Sequence, residues 1–260
     1  MLMTRILSAV VLAPLVLLAV YAGGIWFVAL MVAVSGLMGW EWVRLCGVGR
    51  IGPGGMVAIA VLVGVPLTFA LATAQFALLA LLLGTLAAAI ATWFSQPRQV
   101  PWIALGTLYV GAACLAFLWL RNVPLQGREV VFWLLAVVWA TDIGAYFAGR
   151  GIGGPKLAPS ISPNKTWAGL IGGALSAALV GVLAAGFLAG EAMLLVVGGM
   201  LLAIVAQGGD LLESWCKRRF GVKDSSHIIP GHGGILDRAD GLLAVLPIAF
   251  LYFWVVKDTI

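Results

Sequence analysis

The sequence predicts an all-α polytopic integral membrane protein of about nine transmembrane helices, with the N-terminus cytoplasmic and the C-terminus outside. Three observations predict it. The 260 residues are 63% hydrophobic and 10% charged, with a mean hydropathy of +1.11, whereas a soluble domain carries about 25% charged residues. The apolar residues gather in runs of about 20, the length a helix needs to cross a bilayer core. The alternation of apolar and polar residues that marks a membrane barrel is absent, and in lipid a single segment satisfies its own backbone groups only as a helix.

Nine runs qualify: 6–22, 25–43, 56–72, 76–94, 102–120, 130–148, 168–188, 192–212 and 241–257. They are separated by turn residues and charge, as at Gly47-Val48-Gly49-Arg50, Ser95-Gln96-Pro97-Arg98 and Arg121-Asn122-Val123-Pro124. Trp40, Trp42, Trp93 and Trp102 lie near run ends, where aromatic rings anchor helices at the interface. Arg5 followed by Ile6 to Val20 has the layout of a secretory leader, but it is long enough to cross and is read as an uncleaved first span. The first five spans make an N-terminal transmembrane region, 1–128. The last four, with two long loops, make a C-terminal catalytic region, 129–260.

Basic residues orient the chain. With the N-terminus inside, the inner segments hold Arg5, Arg44, Arg50, Arg98, Arg150, Lys156, Lys165, Lys217, Arg218, Arg219, Lys223 and Arg238. The outer ones hold Arg121, Arg128 and Lys257, which completes the 15 Lys and Arg of the chain. This asymmetry is the positive-inside signature and supports an odd number of spans. It also accounts for the net charge of +5 without a nucleic-acid partner, because the cations are not clustered in a solvated domain. Cys46, Cys114 and Cys216 show no CxxC spacing and the only histidines are His227 and His232, so a disulfide framework or a Cys/His zinc site is excluded. Cys46 and Cys114 read as small apolar filler. Glu41 and Arg44, three apart on the second span, read as an interfacial ion pair.

Eight of the twelve inner cations and both histidines fall in two loops, Gly149–Trp167 and Glu213–Asp240. Asp210, Glu213, Ser214 and Lys217 follow i, i+3, i+4, i+7 spacing, which puts two carboxylates, a hydroxyl and an ammonium on one helix face at the end of the eighth span. Pro230-Gly231-His232-Gly233-Gly234 is a tight irregular loop that delivers Asp237 and Asp240 into the start of the last span. Carboxylates in two clusters suit a hard divalent cation such as Mg²⁺, which takes one or two carboxylates with substrate phosphates and waters. Lys217, Arg218, Arg219, Lys223 and Arg238 supply the counter-charge for polyphosphate. A metal–carboxylate substrate fits the same charges, and the cations also suit positive-inside loops on anionic lipid. His232, between glycines, reads as a phosphate contact or proton carrier, or as loop structure; His227 reads as an ordinary loop residue. Asp142 lies within the sixth span, where an ionisable group points to function or to a partner for a nearby cation. Ser162-Pro163-Asn164-Lys165-Thr166 leads into the seventh span. There, helix N–H groups with Lys165 can hold phosphate, or Ser162 and Thr166 can simply cap the helix. The Gly151, Gly153, Gly154 stretch is no P-loop, since GxxxxGK[ST] is missing.

These residues carry a resemblance. Ser214, Lys217-Arg218, Lys223-Asp224, His232-Gly233-Gly234 and Asp237-Arg238-Ala239-Asp240 resemble the signature of the phosphatidate cytidylyltransferase (CDP-diacylglycerol synthase) family. Thr141–Arg150, Lys156–Pro159, Ser162–Thr166 and Gln207–Ser214 are similar to that family as well, while the first five spans match only in being apolar. Cys216 and Ala239 depart from the larger aliphatic residues usual there, which touches local packing rather than chemistry. The resemblance implies transfer of CMP from CTP to phosphatidic acid, giving CDP-diacylglycerol and pyrophosphate, with Mg²⁺ and room for a second, monovalent cation. It implies Asp210 and Asp237 as metal ligands supported by Asp142 and Asp240. Lys165, Lys217, Arg218, Lys223 and Arg238 would hold phosphates, and Ser214 and His232 would orient a phosphate or help pyrophosphate leave. The expected setting is a bacterial inner membrane, with the site at the cytoplasmic face and the lipid tails in the bilayer. Glycine-rich 168–188 admits close packing in a homodimer. A CTP-dependent lipid kinase would share such a site but release CDP. An ion-coupled transporter would show internal repeats and a midplane site, and a phosphatidyltransferase a D-G-x-x-A-R type motif; none is seen in the sequence.

Overall fold

The computed structural model describes residues 2–47, 49–186, 188 and 192–256. Among these described residues nine α-helices follow in order: α1 Leu2–Ala22, α2 Gly24–Cys46, α3 Pro53–Leu71, α4 Ala74–Ser95, α5 Val100–Arg121, α6 Gly127–Gly151, α7 Trp167–Ala184, α8 Ala192–Arg219 and α9 Leu236–Val256. Among the described residues, eight helices, α2 to α9, are long and apolar enough to cross a membrane, and α1 carries a shorter apolar stretch, Val10–Ala22. The chain is an all-α polytopic membrane protein, as the apolar runs predict. Lys257, assigned to the outer side, lies outside the described residues.

Large apolar side chains point outward all along these helices: Leu71 is 87% exposed and Phe94 84%. In water such surface would be costly; against acyl chains it is not, and helix association then depends on close packing and polar contacts. Small residues provide that packing. The chain divides into two compact units, Met1–Trp119 with Arg219–Ala239, and Leu120–Arg218 with Asp240–Ile260.

In the first unit α3 packs against α2 and α4. A Cβ on Gly39 would stand 2.6 Å from Leu62 Cδ1, so α2 and α3 touch through a bare backbone position. Val65, Ala77 and Leu81 form a buried cluster covered by Val61, Phe69 and Leu115. Ser35 Oγ donates to Leu62 O at 2.8 Å and Trp42 Nε1 to Trp102 O at 2.8 Å, polar ties that count because lipid offers no alternative partner.

In the second unit α6 and α7 lie together along their length. A Cβ on Gly144 would stand 2.7 Å from Gly172 O. The α6–α7 connection contains the one regular departure from helix among the described residues: a two-stranded antiparallel hairpin, β1 Lys156–Ala158 and β2 Ser162–Thr166, with Lys156 opposite Thr166. The loop expected from 149 onward therefore begins only after Gly151 and is partly extended. Likewise α8 continues through Arg219 and absorbs the first residues of the second expected loop, which shortens it to the segment before Leu236.

Candidate active site

In the second unit the polar side chains of α8 gather as their spacing predicts. Asp210 Oδ2 lies 2.7 Å from Lys165 Nζ, which reaches over from β2 and also donates to Gln207 O at 3.1 Å. Ser214 Oγ donates to Asp210 Oδ1 at 3.3 Å, so both carboxylate oxygens have a partner. One turn on, buried Glu213 pairs with Lys217 at 3.3 Å. Gln207 Nε2 donates to Leu170 O at 3.3 Å and ties α8 to α7. Gly209 brings α9 close, since a Cβ there would be 2.6 Å from Asp240 O. Asp240, whose Oδ1 accepts from Gly241 N at 2.7 Å, stands within electrostatic range of Asp210, Asp142 and Lys217.

In the first unit the segment 219–239 is tied to three of the N-terminal helices. Phe220 meets Trp102 of α5 edge-on, centroids 5.1 Å apart. Glu41 of α2, 0% exposed, accepts from Leu236 N at 2.7 Å, Ile235 N at 2.9 Å and Ser226 Oγ at 2.5 Å. Ser225 Oγ lies 3.3 Å from Glu41 and 2.9 Å from Asp237 Oδ2; its single proton serves the nearer carboxylate. Asp237 Oδ2 also accepts from Ser225 N at 2.9 Å and Gly234 N at 2.8 Å. His232 Nδ1 lies 2.6 Å from Ser8 Oγ of α1, and that hydroxyl reaches Pro230 O at 3.3 Å. Gly231 and Gly233 take φ of +79° and +89°, which side chains resist. A pocket of about 480 Å³ lies beside this segment, lined by Trp40, Arg44, Phe220, Asp224 and His227 among others.

Of the residues expected to act, Lys165, Asp210, Ser214 and Lys217 are brought together, with Asp142 and Asp240 near them. His232 and Asp237 sit in the other unit's loop, and Arg218, Lys223 and Arg238 are exposed. Thr166 caps α7 by accepting from Gly169 N at 3.1 Å, whereas Ser162 lies in β2, away from the helix start. The expected Glu41–Arg44 ion pair is corrected: Arg44 stacks over Trp40 at 4.8 Å and Glu41 serves the loop instead. Sequence reasoning missed Glu41, Ser8 and Gln207 as holders of these loops. A carboxylate within an apolar run was the available signal for Glu41; a lone serine or glutamine gives none.

The donor set fits a hard cation. Asp142, Asp210 and Asp240 bring like charges into one region, which a divalent ion would relieve. Among the described residues no group of three or more His, Cys, Asp or Glu is close enough to hold an ion by itself.

The long apolar helices define an integral membrane protein. The cytidylyltransferase family matches residues 3–256; the chain belongs to that family and is a nucleotidyltransferase. A Brucella suis biovar 1 protein named phosphatidate cytidylyltransferase is 40% identical over 252 residues, covering 96% of this chain and 93% of its own length. One of the same name from Pseudomonas aeruginosa is 36% identical over 270 residues, covering 98% and 97%. A third, from Bacillus subtilis, is 44% identical over 158 residues, 60% and 58% of the two chains.

Proposed function

We propose that this chain is a phosphatidate cytidylyltransferase, which joins the phosphate of phosphatidic acid to the CMP moiety of CTP. The carrying observation is the near full-length likeness to relatives of that name. In the reaction a phosphate oxygen of phosphatidate attacks the α-phosphorus of CTP. The bond from that phosphorus to the bridging oxygen breaks, and pyrophosphate leaves with the electron pair. The nucleophile is already an anion, so no strong general base is needed, and catalysis rests on positioning and charge stabilisation.

The cations have this task. Lys165 and Lys217, each paired with a carboxylate of α8, are placed to exchange part of that pairing for phosphate oxygens. Arg218, Lys223 and Arg238 are exposed and offer further phosphate contacts. Ser214, held at Asp210, and His232, held at Ser8, orient phosphate or assist the departing pyrophosphate. Asp210 with Asp142 and Asp240 would hold Mg²⁺, which when bound neutralises charge developing on the phosphate oxygens. Asp237 Oδ2 takes three protein donors, which hold its carboxylate in place as a supporting ligand for the metal. The positive-inside asymmetry supports a cytoplasmic position for the loops, and the bacterial relatives support a bacterial inner membrane.

The test is turnover by the purified protein in detergent with labelled CTP, phosphatidate and Mg²⁺. Labelled CDP-diacylglycerol with equimolar pyrophosphate is expected. Release of CDP with a newly phosphorylated lipid would instead make the chain a lipid kinase.

A further inference from the structure

We propose that Glu41 is a positioning residue for cytidylyl transfer, acting from within α2 through the loop that presents His232 and Asp237. The proposal rests on the reading that this loop meets the substrates. Glu41 is fully buried on a helix whose neighbouring positions Met38, Trp42 and Leu45 are buried and apolar. Removing a carboxylate from water costs several kcal/mol unless donors replace its hydration. Its donors come from one stretch, Ser226 to Leu236.

Two of those donors are the backbone N–H groups of Ile235 and Leu236, where α9 begins. Helix starts leave such groups without intrahelical partners and are usually capped by Ser, Thr, Asp or Asn just ahead of the helix. Here Ile235 precedes Leu236 and has no side-chain acceptor. Glu41 supplies the cap from another helix, and its negative charge complements the positive end of the helix dipole. It therefore fixes where α9 starts and which way Asp237 and Arg238, in its first turn, project. Gly234 completes the fit: a Cβ there would stand 2.5 Å from Glu41 Oε1, so this backbone passes the carboxylate only as glycine.

Glu41→Gln keeps the size but puts an amide, itself a donor, where two acceptors are needed. Glu41→Asp keeps the charge and withdraws it by one methylene. Both are compared with the wild type by steady-state kinetics and by hydrogen–deuterium exchange in detergent, with Arg98→Gln, at an exposed position away from the loop, as control. For Glu41→Gln, exchange over 225–237 speeds up while that of α3 and α4 is unchanged. Its kcat falls about a hundredfold, the scale of a 1 Å misplacement, while KM for CTP stays within about threefold. Glu41→Asp recovers part of the kcat and part of the protection, and Arg98→Gln matches the wild type.

Unchanged kcat in Glu41→Gln would overturn the proposal. So would a loss of kcat without faster loop exchange, or an equal loss in Arg98→Gln. If neither Glu41 variant folds, the residue serves the fold at large and the proposal also falls. Wild-type protein that forms no CDP-diacylglycerol would overturn the reaction reading instead, while the exchange comparison still decides whether Glu41 holds the loop.

Discussion

Lys165 Nζ lies 2.7 Å from Asp210 Oδ2, joining the β-hairpin to the polar face of α8. The hairpin exists to make this possible. Thr166 ends β2 and caps α7, so the residue just before the cap is fixed in direction, and its ammonium reaches the α8 backbone and side chain together. The side chains are 17% and 37% exposed, so water still screens the pair and its contribution to stability is modest, about 1 kcal/mol. Lys165→Met and Asp210→Asn are therefore expected to melt close to the wild type in detergent. Their CTP turnover should fall by about a hundredfold or more each, with the double variant much less than additive because they act as a unit. Additive losses would mean that the two residues act separately.

Removal of divalent ions is expected to abolish turnover, and Mg²⁺ to restore it. With Asp142, Asp210 and Asp240 sharing one region and no complete protein cage among the described residues, ion affinity should depend on bound CTP. Asp210→Asn should then raise the Mg²⁺ concentration needed for half-maximal activity. A metal titration of Asp210→Asn that overlays the wild type would remove Asp210 from the ligand set.

The helices were legible because lipid imposes a single rule on length and polarity, and each of the nine runs has its helix, although 168–188 extends past the end of α7 at Ala184. The i, i+3, i+4, i+7 face of α8 was legible for the same reason, since helical geometry follows directly from spacing. The hairpin at Lys156–Thr166 was not: its strands are three and five residues long, and Pro163 with Asn164 argues for a turn. The supports of the loop were hidden for another reason. Glu41 and Ser225 are 184 positions apart and Ser8 and His232 are 224 apart, and no periodicity connects such pairs. Local spacing even suggested the wrong partner for Glu41, because Arg44 at i+3 finds the face of Trp40 instead.

Gly234→Ala is expected to disable the loop without unfolding the helices. Its Cβ would stand 2.0 Å from Ser225 Oγ and 2.5 Å from Glu41 Oε1, both held in hydrogen bonds. Overpacking of this kind costs about 1–3 kcal/mol, which the loop would relieve by moving. Turnover should drop at least about tenfold, with helical circular dichroism retained. Gly208→Ala, with nothing within 4 Å of its Cβ, provides the comparison and should keep the fold equally well. Full activity in Gly234→Ala would show that the loop tolerates displacement.

Ser8 links the first helix to the loop that carries His232. Ser8 Oγ lies 2.6 Å from His232 Nδ1 and 3.3 Å from Pro230 O, a contact that fixes the plane of the imidazole and the direction of Nε2. Ser8→Ala removes this constraint while changing little volume. Its kcat should fall about tenfold, the scale of a mispositioned proton carrier or phosphate contact, and Ser8→Thr should restore part of it. In a His232→Ala background the serine substitution should have no further effect, because there is no ring left to orient. Measured kcat values for the four proteins of this cycle decide the matter. Independent effects of Ser8 and His232 would mean that α1 supports the loop in some way other than through the imidazole.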